Sequence, residues 1–216
     1  MSMTASPLSR RQILVTGLAL LALGGCGGNL LGPSNPPLQL YRLRPRFTAP
    51  PDLPHVAWQL AVARPETARS LDTVRIALVR GEMMDYYADA QWTDSVPRLV
   101  QGLLVEAFEQ SGRIAGVARE SDNIHADYVL ATEIRAFEAQ YDTPDGAPGV
   151  TVEIEARLLG RGGDVAATLN ATAASRAQQN SVASVVAAFD AASAEALQKI
   201  VAWVLSAPPP PGARRG

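Results

Sequence analysis

The sequence predicts an α/β fold of α+β character: a mixed β-sheet of about five to six strands with two long amphipathic helices packed on it. Three observations lead there. Apolar residues recur at helical spacing in two long segments, residues 96–108 and 182–205. Elsewhere, shorter runs alternate apolar and polar side chains with the period of a strand. A strand–helix–strand run over residues 71–118, followed by a hairpin pattern, calls for parallel and antiparallel neighbours in one sheet.

In chain order, residues 38–40 with Arg42 and Leu43 read as a first short strand. Val56, Trp58, Leu60 and Val62 fall on one side of a second. Residues 71–79 make a third, ended by Arg80-Gly81, and residues 88–92 form a short bridge. The first helix follows, because Val96, Leu99, Val100, Leu103, Leu104, Ala107 and Phe108 share one face. Asp94 can cap its start, Pro97 is tolerated within the first turn, and Gly112 supplies the stop. Residues 113–118 and 127–141 are strands, the second long enough to bend or bulge. Val150, Val152, Ile154 and Ala156 alternate with polar neighbours, and a Gly-Arg-Gly-Gly-Asp turn at 160–164 leads into residues 165–174, completing a hairpin. Val182, Val185, Val186, Phe189, Ala196, Leu197, Ile200, Val201 and Val204 draw a stripe along the last helix. Asp190, Glu195 and Lys199 on that helix exclude a membrane span.

The two ends read differently from this middle. Arg10 and Arg11 precede an apolar run from Ile13 to Gly25, too short for the roughly 20 helical residues that cross a hydrocarbon core. Basic start, short apolar middle and small residues at the end are the grammar of a secretory signal peptide, here residues 1–25. Leu23-Gly24-Gly25-Cys26 resembles the bacterial lipobox, in which the cysteine is acylated and becomes the new N-terminus. The resemblance implies a covalent diacylglycerol and an N-acyl chain on Cys26, more than the two acyl signals that stable anchoring needs. No other cofactor is expected. Ser9-Arg10-Arg11-Gln12-Ile13-Leu14 also looks like a twin-arginine signal, so the Sec and twin-arginine export routes both stay open. Gly27 is not the aspartate that marks inner-membrane retention in enteric bacteria, and outer-membrane sorting is expected. Residues 26–37 then form the lipidated N-terminus and a flexible tether rich in turn formers, spanning roughly 18 Å. Residues 38–206 are the folded domain, and 207–216 a disordered, proline-rich tail.

Hydrophobic residues make up 47% of the chain and charged residues 19%, a globular composition. The net charge is −2, and no basic run appears, so nucleic acid is not an expected partner. No other cysteine exists to form a disulfide. The two histidines, His55 and His125, sit in polar or proline-rich stretches and read as exposed loop residues. A zinc site needs more His and Cys than that. Neither a nucleophile elbow, a phosphate-cradling loop nor a metalloprotease helix is present. Glu82, Asp85, Asp89 and Asp94 fit no calcium-loop spacing and read as a solvated face. Tyr86, Tyr87 and Trp92 crowd into seven residues. They are either core under the first helix or a partner-docking surface, where Tyr and Trp are enriched.

One series ties these features together: Leu71-Asp72-Thr73-Val74-Arg75-Ile76, Tyr86-Tyr87, Trp92, the amphipathic helix to Phe108, Ala126-Asp127-Tyr128-Val129-Leu130 and Ile134-Arg135-Ala136-Phe137-Glu138-Ala139. It resembles the ABC-type transport auxiliary lipoproteins over about residues 38–205. The resemblance implies a fold similar to the N-terminal domain of TolB. It also implies a non-enzymatic lipoprotein at the periplasmic face of the outer membrane. Its implied partners are an MCE-domain protein and an ABC transporter complex that moves lipids between the two membranes. Phospholipid contact and a homo-oligomer are left open. Two other readings stand beside it: a stand-alone envelope lipoprotein of structural or assembly role, and a lipid-modified periplasmic hydrolase.

Overall fold

A computed structural model describes residues 37–210. Arg10, Arg11, Leu23, Gly24, Gly25 and Cys26 lie outside the described residues, as do the expected signal peptide and most of the expected tether. In chain order the elements are β1 (Gln39–Tyr41), β2 (Val56–Val62), β3 (Glu66–Thr67), β4 (Arg75–Arg80), β5 (Met83–Trp92), α1 (Val96–Ser111), β6 (Ile114–Arg119), β7 (Tyr128–Gln140), β8 (Gly149–Gly160), β9 (Val165–Arg176) and α2 (Val182–Leu205).

Strand β7 organises the sheet. One of its edges pairs antiparallel with β8 along its whole length, and β8 pairs antiparallel with β9. The other edge is shared by three parallel strands: β2 at residues 128–130, β3 at 133–134 and β4 at 138–140. Outward from there, β2 carries β6 in parallel, while β4 carries β5 antiparallel and β5 carries β1 in parallel. The mixed sheet with two helices is therefore as expected, with nine strands among the described residues where about five to six are expected. β3 is two residues long, too short for a period of two to register, whereas β1 at Gln39–Tyr41 falls where the first short strand is read.

Three local expectations change. Residues 71–74 form a turn, with Leu71 N donating to Ala68 O and Thr73 N to Leu71 O, so β4 begins only at Arg75. The strand after the first helix, β6, pairs with β2 and not with β4, whose two edges are occupied by β5 and β7. Asp94 is not the helix cap. Ser95 occupies that position, and the Asp94 carboxylate instead accepts the Ser95 N–H at 2.7 Å. At the other end Gly112 adopts φ +59° and its N–H reaches Glu109 O, a left-handed stop that a glycine enters without a Cβ clash.

The bulge anticipated in the long strand has a definite place. Tyr128, Leu130, Thr132 and Ile134 are buried, then Phe137 and Ala139. The register against β8 slips between Ile134 and Ala136, so Arg135 is the extra residue and the inward phase moves from even to odd numbers. Helix α2 lies against β8 and β9, α1 lies against β6 and β2, and the two helices touch. Under α2, Trp92 of β5, Phe137 of β7 and Phe189 of α2 form an aromatic cluster: Trp92 meets both phenylalanines edge-on at 6.0 and 5.1 Å between ring centroids, and the phenylalanines stack at 4.8 Å. The start of the expected tail is packed, with Pro210 buried and the Tyr128 hydroxyl donating to Pro208 O at 3.0 Å.

Candidate docking surface

The candidate trio separates in three dimensions. Trp92 ends β5 on its inward side and is 1% exposed. Its ring is enclosed by Phe137 and Phe189, so it cannot meet a partner and belongs to the core, which corrects its candidacy for docking. Tyr86 and Tyr87 remain half-buried on the β4–β5 hairpin.

Their placement follows from an irregularity in that hairpin. Ala77 faces Tyr86, but Arg75 faces Gln91, so β5 leaves the β4 ladder across residues 87–90 before rejoining it. The Tyr86 hydroxyl donates to Ser70 O at 2.9 Å, and the Arg75 guanidinium lies 3.9 Å from its ring centroid. The Tyr87 hydroxyl shares a 2.8 Å hydrogen bond with the Tyr141 hydroxyl, which itself donates to Asn180 Oδ1 at 2.9 Å. Arg80 covers the Tyr141 ring at 5.1 Å. Burial first, and then the bond to Tyr141, hold the Tyr87 phenol well above the ordinary tyrosine range, so it is a neutral hydrogen-bonding group at physiological pH.

Around these fixed rings the surface is open. Met83 is 70% exposed and Met84 37%, at the tip and shoulder of the hairpin. Sequence reasoning missed both, although a Met-Met pair following Gly81-Glu82 is a signal for an apolar tip. Residues 83–86 of β5 pair with β4 on one side and with no strand on the other among the described residues. Their backbone groups, two adaptable thioethers and two anchored phenols together offer hydrogen bonds and apolar contact on one edge. Glu82, Asp85 and Asp89 are exposed beside them. His55 and His125 are both exposed and, among the described residues, make no side-chain hydrogen bond to a nucleophile or a carboxylate. Among the described residues no group of three or more metal-ligating side chains occurs, and no helix is long and apolar enough to cross a membrane.

Comparison with known proteins agrees with this architecture. The chain is 35% identical to a protein from Xanthomonas campestris of known crystal structure, with a TM-score of 0.73 over 77% of this chain and 94% of that one. A second crystal structure, of an uncharacterized protein, shares the fold at a TM-score of 0.62 and 15% identity, covering 78% of this chain and 99% of the other. An uncharacterized protein of Bradyrhizobium diazoefficiens is 30% identical over 77% of this chain, which spans only 45% of that relative. The family model for ABC-type transport auxiliary lipoprotein components matches residues 39–201.

Proposed function

The chain belongs to the family of ABC-type transport auxiliary lipoprotein components, and on that premise we propose that it is the tethered docking component of a lipid-moving ABC transporter. In this reading the signal peptide is cut before Cys26, which carries a diacylglycerol and an N-acyl chain. The domain then stands at the periplasmic face of the outer membrane within roughly 18 Å of it. Its role is binding, without catalysis, and its partner is the MCE-domain protein of the transporter. The β4–β5 hairpin is the docking edge, with Tyr86 and Tyr87 as rigid anchors and Met83 and Met84 as adaptable contacts.

The family match across nearly the whole folded domain carries this reading; the exposed methionines and open strand edge support the choice of surface. The test is co-purification. A tagged full chain, extracted in mild detergent from cells expressing the transport system, is expected to retain the MCE-domain protein. Replacing Met83 and Met84 with glutamate should reduce that capture at least tenfold with the fold intact. A chain that retains no such partner sinks the reading. Retention of peptidoglycan or outer-membrane factors instead would replace it with that of a stand-alone envelope lipoprotein.

A further inference from the structure

A groove of about 680 Å³ opens beside the first turns of α1. That volume lies within the roughly 300–1,000 Å³ of small-molecule sites. Its lining is unusual in charge: Arg64, Arg98 and Arg119 share it with Asp94 and Glu120. Arg98 and Gln101 stand one turn apart on α1; Arg119 ends β6, Glu120 opens the turn beyond it, and Arg64 follows β2.

These opposite charges share the groove without neutralising one another. Arg64 is held by Asp72 at 2.8 Å, outside the lining, and a guanidinium has further N–H groups to give. Among the described residues neither the Arg98 nor the Arg119 guanidinium has a carboxylate oxygen within 4.0 Å, although the Arg119 backbone N–H donates to Asp122 Oδ2 at 3.1 Å, and neither Asp94 nor Glu120 has a cationic nitrogen at that distance. Asp94 uses one oxygen on the Ser95 N–H. The floor is fixed, because the buried Gln101 amide donates to Val62 O at 3.0 Å and ties α1 to β2. Arg119 Nη2 lies over the helix at Gly102, 3.8 Å from where a Cβ would stand.

Guanidinium forks match the oxygens of a phosphate, and more than one of them exceeds what a lone carboxylate can use. Carboxylates in the same hollow disfavour a simple anion and favour a ligand that carries its own cation. We propose that this groove binds a zwitterionic phosphate ester of the phosphoethanolamine type, with the phosphate on Arg98 and Arg119 and the ammonium on Asp94 and Glu120. Its polar lining holds the headgroup and leaves acyl chains outside. The same chemistry is presented by a free ester or by a phosphatidylethanolamine headgroup; only the second source rests on the lipid-transport reading above.

The test is a calorimetric titration of the full chain in a non-ionic detergent. Phosphoethanolamine should bind saturably and more tightly than glycerol 3-phosphate or inorganic phosphate. Replacing Arg98 and Arg119 with glutamine should weaken it by roughly tenfold. Replacing Asp94 with asparagine and Glu120 with glutamine should invert the preference towards glycerol 3-phosphate, which a merely damaged fold cannot produce. Nanodiscs of phosphatidylethanolamine, added as competitor against discs of phosphatidylglycerol, distinguish the sources. Competition supports the lipid headgroup, and its absence supports the free ester in the same site. Absent binding, equal binding of glycerol 3-phosphate, or indifference to the arginine changes overturns the proposal. The titration needs no transporter, so its failure is distinct from failed partner capture.

Discussion

Replacing Trp92 with alanine tests whether this aromatic is core or contact. The side chain is 1% exposed, enclosed by Phe137 and Phe189. Burying an indole removes about 200 Å² from water, which at about 25 cal/mol/Å² is worth about 5 kcal/mol. One contribution opposes this. The Trp92 Nε1 has no hydrogen-bond partner among the described residues, and losing an unpaired buried donor returns about 1–2 kcal/mol. The net destabilisation is therefore about 3–4 kcal/mol, within the range measured for large aromatic-to-alanine changes. In a domain of this size it lowers Tm by roughly 10 °C. Trp92→Phe keeps an aromatic against both phenylalanines and removes the same unpaired N–H, so it should cost less than about 1 kcal/mol. Urea unfolding followed by far-ultraviolet circular dichroism measures both. A cost below about 1 kcal/mol for Trp92→Ala would refute the assignment to the core, as would a Trp92→Phe variant as unstable as the alanine one.

Two further predictions concern Tyr87 and Cys26. The folded pKa of Tyr87 is raised, so the stability it contributes is complete below the unfolded value of about 10 and is lost as pH rises beyond it. Tyr87→Phe should flatten the alkaline fall in stability between pH 10 and 11 by about 0.5 kcal/mol, after allowance for solvent reaching this half-exposed ring; an unchanged slope in denaturant titrations would contradict the buried phenol. Cys26→Ser should abolish acylation and either release the domain from membranes or leave the signal uncleaved, read by mass spectrometry of the membrane fraction. Undiminished lipidation there rules out Cys26 as the anchor.

The elements most legible beforehand are those whose pattern repeats. Helix α1 shows a stripe from Val96 to Phe108 and a terminal glycine, and the structure ends it at Ser111 with Gly112 left-handed. The β8–β9 hairpin was visible for the same reason, since Val150, Val152, Ile154 and Ala156 face inward throughout. Strand β5 was legible only at its end, because residues 83–89 lie at an edge, where exposure removes the alternation that a buried face imposes. The bulge was expected somewhere in β7, but its place at Arg135 depends on the register with β8.

By itself, then, the sequence determined the fold class, the two helices, the family and the signal-like start, because periodicity and motif spacing are local properties of the chain. Tertiary structure decided what required distant segments to meet. It divided Tyr86 and Tyr87 from Trp92, whose core partners Phe137 and Phe189 lie far along the chain. It gave three separate parallel strands to one edge of β7. It also gathered Arg98 of α1, Arg119 of β6 and Arg64 of the loop after β2 into one groove. No local pattern encodes such meetings, because pairing and packing follow from the lowest free energy of the whole chain rather than from any window of it.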